Sequence, residues 1–282
     1  MIEYFEKAAT YRVFLIGDAI HDEYCYVEAL GKASKEPIVA TREIRWEKFQ
    51  GGVLAAAEHL KDFVASVNVR TGAETTIKQR YVEPTYTRKL FEVHKAEPSE
   101  YDLWHSGEND MVIVTDFGHG CITAEVIKEL TQRASFLAVN AQTNSGNFGF
   151  NLITKYPRAD FVVIDEAEAR LAAHDRESPL MQIVPALGFQ RIIITQGPQG
   201  SLGYEDGIFI HEPSYATRIT DTMGAGDAFF CVTAPLARAG MPMDMLLKVG
   251  NAAAALKLAH VGQHPVRKDE LLALLAARRS GR

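Results

Sequence analysis

Short, nearly unbroken apolar runs alternating with stretches of helical spacing are what most constrain this chain. The runs are "RVFLIG" (12–17), "VASVNV" (64–69), "MVIVTD" (111–116), "FLAVN" (136–140), "FVVID" (161–165) and "RIIITQG" (191–197). Continuous apolar strands are those covered on both faces, as in a parallel sheet, whereas half-exposed strands alternate with polar residues. Helical patterns lie between and after them, at 51–61, 122–133, 166–173, 178–188, 225–239, 243–259 and 268–278. The order predicts an α/β fold with helices on both faces of a mainly parallel sheet.

Two segments break that order. Residues 19–49 mix β-branched, aromatic and charged residues in extended patterns, and 75–95 read as two alternating strands around a turn at Glu83-Pro84-Thr85. Alternation implies a sheet with one wet face. The two insertions therefore predict a small antiparallel flap, a lid, standing on the α/β core. Only Thr71 to Thr75 separates the strand at 64–69 from the flap strand. That is too short for a helical crossover, so the chain must run straight from core to flap. The whole of 1–282 reads as a single domain carrying this lid. The closing "AARRSGR" reads as fraying.

A net charge of −6 supplies no general basic field for nucleic acid or an anionic membrane, so any anionic ligand must be held by a local arrangement. The three cysteines, Cys25, Cys121 and Cys231, are scattered, which suits a reducing compartment and argues against a structural zinc site. No signal-peptide pattern is visible, and no apolar stretch approaches the roughly 20 residues of a membrane span. The expectation is a soluble cytoplasmic chain.

One motif carries chemistry. "DTMGAGDAFF" (221–230) places Gly224, Ala225, Gly226 and Asp227 at the mouth of a predicted helix. Free N–H groups and the positive end of the dipole make such a mouth a ready anion site, and glycines let an anion approach the backbone. An aspartate in the same turn can take a proton from an attacking hydroxyl. The plainer alternative is a glycine-rich turn capped by aspartate. Two commoner nucleotide motifs fail: a dinucleotide fingerprint would need glycine where Phe229 stands, and Gly31-Lys32 is followed by Ala33 rather than the serine or threonine of a P-loop.

With those residues in view the chain resembles the ribokinase-like (PfkB) carbohydrate kinases, and among them most the kinase domain of bifunctional ADP-heptose synthesis enzymes. "IGDAIHDEYCY", "FQGGVLAAAEHL", "VTDFGHG", "FVVIDEAEARL", "ITQGPQGSLGY" and "DTMGAGDAFF" fall in the family's order along nearly the whole chain. The resemblance implies a three-layer α/β/α core with a β lid, and ATP-dependent phosphorylation of a hydroxyl on a sugar or sugar phosphate, with Mg²⁺. It implies Asp227 as the base, with the Gly224, Ala225 and Gly226 N–H groups as the anion hole. Thr195, Gly197, Gly200, Thr222, Gly250 and Asn251 would lie along ATP, and Glu168 would organise Mg²⁺ through water. Asp18, Asp22, Gly51, Gly52, Asp116 and Asn140 would face the sugar, and a homodimer could form through the lid.

Each role has a plainer competitor: Asp18 as a loop cap, Asp116 as a strand terminator, Glu168 on a solvated helix face. Lys78, Arg80, Arg88 and Lys89 read as exposed flap charges, or else as cations that reach a substrate phosphate.

The chain departs from the family pattern on the acceptor side. Ala55 stands where the family has its sugar-binding asparagine, Asp165 replaces the asparagine of N-x-x-E, and His119 replaces a lysine. After the strand at 136–140 comes "NAQTNSGNFGFN", rich in amides and suited either to a polyol or to a polar surface loop. These departures open a second reading, a nucleotide- or sugar-binding pseudokinase partnering an enzyme of a sugar-nucleotide pathway.

Overall fold

A computed structural model of the chain describes residues 1–86, 88–98, 109–262 and 264–279. Its elements are α1 (Ile2–Ala8), β1 (Arg12–Gly17), β2 (Ala19–Lys32), β3 (Val39–Gly52), α2 (Val53–Leu60), β4 (Ser66–Arg70), β5 (Glu74–Glu83) and β6 (Arg88–Pro98). They continue with β7 (Met111–Asp116), α3 (Ala124–Arg133), β8 (Leu137–Ala141), β9 (Phe161–Asp165), α4 (Glu166–Ala172), α5 (Leu180–Ala186) and β10 (Arg191–Thr195). The last are β11 (Ser201–Glu205), β12 (Ile208–Glu212), α6 (Ala225–Ala239), α7 (Met243–Leu258) and α8 (Lys268–Arg279). The C-terminal helix thus reaches into the stretch read as fraying, whose end, 280–282, lies outside the described residues.

The central sheet runs β12-β11-β10-β9-β8-β7-β1-β4. It is parallel from β10 to β4, and β11 and β12 add an antiparallel edge. The apolar runs explain the three layers through their period of two. Val13 and Leu15 of β1, Met111 and Ile113 of β7, and Phe161 and Val163 of β9 join the core shared with Phe229, Phe230 and Leu246. Their neighbours Phe14 and Ile16, Val112 and Val114, Val162 and Ile164 point the other way, into the core with Ile127, Leu130 and Ile183. Successive side chains of a strand face opposite sides, so a doubly covered strand must be apolar at every position.

The lid is a second sheet, β3-β2-β5-β6. Its composition matches the flap expected at 19–49 and 75–95, but its pairing differs from the fully antiparallel expectation. The outer pairs are antiparallel, whereas β2 and β5 run parallel from Ala19 beside Thr75 to Tyr26 beside Val82. The cause lies in the core: β1 and β4 are parallel neighbours, and each feeds a lid strand directly from its C-terminal end. Two chains leaving side by side in one direction make a parallel pair. Tyr24, Tyr26 and Val82, with Phe49 against them, form the lid's own small core.

The β11–β12 hairpin and α1 were not among the elements expected. No helix of the described residues is long and apolar enough to cross a membrane.

Candidate active site

A cleft opens between the lid and the carboxyl ends of β8, β9 and β10. Ile20, Asp22 and Lys78 of the lid line one side, and Thr195, Ala254 and Asn251 the other. In open α/β sheets this is where ligands bind, because the strand ends and helix mouths converge there. The mouth of α6 forms the floor. Gly224 caps that helix with φ +75 and ψ 8, a left-handed conformation in which L side chains are strained. Ala225 and Gly226 follow, lining the cleft with backbone, and Gly226 is exposed to it.

Asp227 sits in the first turn of α6, 9% exposed, and lines the same floor. Burial is the main cause that pushes its carboxyl up to about 6, with Asp22 adding to the rise, while a hydrogen bond from Gln142 and the charges of Lys257 and Lys78 oppose it. The Gln142 amide donates to Asp227 Oδ1 at 2.6 Å and to Asn140 Oδ1 at 3.0 Å. Asn140 in turn donates to the Val163 carbonyl at 2.7 Å. A chain of amides running from β9 through β8 therefore fixes the carboxylate's orientation.

Glu168 and Asp165 cap α4 reciprocally. Asp165 Oδ1 accepts the Glu168 N–H at 2.7 Å, and Glu168 Oε2 accepts the Asp165 N–H at 2.8 Å, a capping box. The remaining oxygen of Glu168 accepts the Thr143 N–H at 2.9 Å, tying the loop after β8 to α4. Burial first, then the charges of Asp165 and Asp227, push the Glu168 carboxyl up to about 8. This answers the solvated-face alternative: Glu168 is buried and lines the cleft.

A divalent cation fits this corner only loosely. Among the described residues no group of three or more His, Cys, Asp or Glu could hold a metal. The crowded carboxylates of Asp165 and Glu168 are hard oxygen donors whose repulsion a cation would relieve. They suit Mg²⁺ held mainly by water and phosphate oxygens.

Several predicted residues meet at the cleft: Asp22, Gly51, Gly52, Asn140, Glu168, Thr195, Gly197, Gly200, Thr222, Gly224 to Asp227, and Asn251. Gly52 permits the return from β3 into α2. At φ +58 a Cβ there would lie 2.3 Å from the Asp18 carbonyl oxygen, which accepts the Val53 N–H. Asn251 is buried and donates to Ser201 Oγ at 2.9 Å and to the Glu212 carbonyl at 3.2 Å.

Three predicted residues stand apart from the lining. Asp18 accepts the Phe117 and Cys121 N–H groups, each at 2.9 Å, so its carboxylate braces the loop after β7. That matches the cap alternative. Asp116 is fully buried, and Tyr156 OH at 2.5 Å and Lys155 Nζ at 2.6 Å both hold its Oδ2. Gly250 faces Phe229, where a Cβ would lie 2.3 Å from the ring, so its smallness serves helix packing. In each case the strand or helix end is near the cleft, but the side chain, or its lack, is used by the core.

The flap charges also divide differently from the exposed reading. Lys78 and Arg80 are buried and line the cleft. Arg80 pairs with Asp22 through a hydrogen-bonded salt bridge and with Glu92 at 3.1 Å. Lys89 reaches Asp221 at 3.3 Å. His119 is half-buried, and burial holds its imidazole down at about 4, with Lys78 adding to the fall. It therefore stays neutral beside a cleft lined by the cations of Lys78, Arg80 and Lys257.

Gln142 and Lys257 are polar cleft residues that the motifs do not single out. The amide-rich loop after β8 was visible, yet which of its amides turns inward depends on the path of the loop. Lys257 carried one signal, an isolated lysine in the apolar run "NAAAALKLAHV" six residues beyond Asn251.

The family model described as "pfkB family carbohydrate kinase" matches residues 64–268. Curated relatives include the bifunctional protein HldE of Rhodopseudomonas palustris (strain BisB18), 31% identical over 173 residues, 57% of this chain and 34% of the relative. The bifunctional protein HldE of Trichlorobacter lovleyi is 22% identical over 318 residues, 96% of this chain and 64% of the relative. The chain thus spans less than two thirds of these relatives' length. Among solved structures, the ribokinase of Thermotoga maritima superposes with a TM-score of 0.74 at 16% identity, covering 94% of this chain and 99% of that one. The Arabidopsis thaliana ribokinase complexed with ribose and ATP does so with a TM-score of 0.68 at 17% identity, again over 94% and 99%. The fold is ribokinase-like.

Proposed function

The chain belongs to the pfkB family of carbohydrate kinases, and on that premise we propose that it transfers the terminal phosphoryl group of ATP to a hydroxyl of a sugar or sugar phosphate. One observation carries the reading: a buried, oriented carboxylate, Asp227, stands in the same turn as the bare backbone of Gly224 to Gly226 on the floor of the cleft. The acceptor's O–H gives its proton to Asp227 as the new O–P bond forms and the bond to the departing nucleotide oxygen breaks. The N–H groups of α6's first turn face the charge on the phosphoryl oxygens. Fixed donors aimed at that charge, together with positioning, supply most of the acceleration in such transfers. A carboxyl near 6 is ionised at neutral pH yet basic enough to accept the proton as it is released.

Thr195, Gly197, Gly200, Thr222 and Asn251 are assigned to the donor side, Asp22, Gly51, Gly52 and Asn140 to the acceptor side. Asp165 and Glu168 would hold Mg²⁺ through water, and the cation when bound would offset charge on the phosphates. The lid, as part of a single domain, closes the acceptor side and keeps water from the transfer. Exposed apolar side chains on it, Leu30, Ile44, Leu90 and Phe91 among them, support pairing with the lid of a second copy. Likeness to the ATP-bound plant ribokinase supports ATP as the donor.

The test is phosphoryl transfer from MgATP across a panel of sugars and sugar phosphates, with Asp227→Asn alongside. A turned-over acceptor whose rate falls by about 10²–10⁴ in the variant is the expected result. An unchanged rate in Asp227→Asn would sink the assignment of the base.

A further inference from the structure

Lys257 is a buried cation with no hydrogen-bond partner among the described residues. The residue is 3% exposed, and neither Asp221 nor Asp227 accepts a hydrogen bond from its Nζ. It lies against the cap of α6: a Cβ built on Gly224 would be 3.3 Å from Lys257 Cε and 3.9 Å from Nζ. The same residue lines the cleft beside Gly224 to Asp227.

The neighbouring acids do not explain it. Asp221 already receives Lys89 at 3.3 Å and the Met223 N–H at 3.2 Å on one oxygen, and Tyr24 OH and the Gly262 N–H, both at 3.4 Å, on the other. Asp227 Oδ1 is taken by Gln142. Neither carboxylate forms a salt bridge with Lys257 among the described residues. Burying an ammonium without an ion pair is strongly unfavourable, so the lysine belongs to a state in which an anion completes the site.

The geometry of α7 says where that anion lies. Asn251, Ala254, Lys257 and Leu258 all line the cleft, at helical spacing along one face. Asn251 and Lys257 are separated by about 9 Å along the axis. If Asn251 stands at the nucleoside end of the donor, Lys257 stands toward its terminal phosphate, at the mouth of α6.

We infer that Lys257 is a catalytic residue whose ammonium binds the terminal phosphoryl group at the mouth of α6, beside Gly224 and Asp227, completing the Gly224–Gly226 anion site with a mobile positive charge. Backbone N–H groups supply fixed partial charges, and the lysine adds a full one that can follow the phosphoryl from donor to acceptor. The lysine is not consumed: its proton stays on Nζ, and the acceptor proton goes to Asp227. The inference rests on the kinase reading above.

The test compares Lys257→Met with the wild-type chain by calorimetric titration of MgATP and MgADP, and by thermal melting without nucleotide. The wild type is expected to bind MgATP more tightly than MgADP. In the variant MgATP affinity should fall about tenfold or more, with MgADP within about threefold, since a charged hydrogen bond to the extra phosphate is lost. Without nucleotide the variant should melt higher, because an unpaired buried charge is gone.

Equal loss for both nucleotides, no loss for MgATP, or a wild-type chain that does not prefer MgATP each overturns the assignment while leaving nucleotide binding in place. A wild-type chain that binds neither nucleotide overturns the kinase reading, and this inference with it. Should the methionine variant not fold, Lys257→Gln under the same two titrations decides.

Discussion

The side-chain amide of Gln142 donates to Asp227 Oδ1 at 2.6 Å. The residue proposed as base is therefore positioned from the loop after β8, an element distant in sequence from its own helix. That hydrogen bond favours the ionised form and opposes the burial that raises the carboxyl to about 6. The two effects together decide where the base titrates.

In the wild-type enzyme kcat/KM should fall about tenfold per pH unit below about 6, because a protonated Asp227 cannot accept a proton. Gln142→Leu removes the donor and leaves burial uncompensated, so this acid limb should move to higher pH, by up to about one unit. A pH–rate profile of the two proteins checks this. A merely structural role for Gln142 would lower the rate without moving the limb.

Asp227→Asn should stabilise the fold while slowing transfer by about 10²–10⁴. A carboxyl raised in the folded state binds its proton more tightly there than in the unfolded chain, so stability from this group is greatest below 3.8 and falls as pH rises toward about 6. At pH 7 the ionised form costs on the order of 1–3 kcal/mol, which asparagine removes. Thermal melting at pH 7 and pH 4 reads it. The gain should be clear at pH 7 and nearly absent at pH 4.

Arg80 locks the cleft face of the lid to Asp22 on β2 and to Glu92 on β6. Arg80→Met leaves Asp22 unpaired within the cleft wall, while Glu92 keeps His94 at 2.9 Å, and breaking the buried Arg80–Asp22 pair destabilises by roughly 3 kcal/mol. Because the pair sits within one sheet, the loss should be local. Hydrogen exchange should quicken in β2, β5 and β6, with little change in β7 to β10, and the acceptor's KM should rise more than the nucleotide's.

The core was legible because doubly buried strands are apolar at every position, and "MVIVTD" or "RIIIT" allows little else. The lid was legible as extended chain, yet its parallel central pair depends on β1 and β4 being neighbours, a fact of the core that the lid residues do not encode. The β11–β12 hairpin did carry a local signal, Asp206-Gly207, both at positive φ in the turn. The run on either side is too short for alternation to announce a strand pair.

At the site, backbone-encoded features read well: Gly224 and Gly52 need conformations a motif can announce. Direction of side chains reads poorly. Asp18 and Asp116 stand at strand ends that border the cleft, but Phe117, Cys121, Tyr156 and Lys155 claim their carboxylates. Gln142 and Lys257 turn inward only because distant elements shape the path around them.

His59 should make the fold sensitive to mild acid. It is buried within reach of the Lys257 charge, and its Nδ1 accepts the Val266 N–H at 3.1 Å, which requires that nitrogen to be unprotonated. Burial first, then the charge of Lys257 and the proximity of His264, hold its imidazole down at about 4 rather than 6.5. The folded chain therefore refuses a proton that the unfolded chain accepts as pH drops below 6.5. The stability this neutral imidazole preserves is full above 6.5, declines through the window to about 4, and levels off below it, a change of about 3 kcal/mol. Carboxylates with depressed values, such as Asp221 and Glu92, lose their contribution at lower pH and shape the remainder of the curve. His59→Asn keeps an acceptor for the Val266 N–H but cannot titrate. Denaturant unfolding at steps from pH 7 to pH 4 should show the wild type losing stability faster than this variant, with the gap opening below 6.5. Parallel curves would mean that His59 takes up its proton in the folded state, and that the Val266 N–H does not hold it neutral.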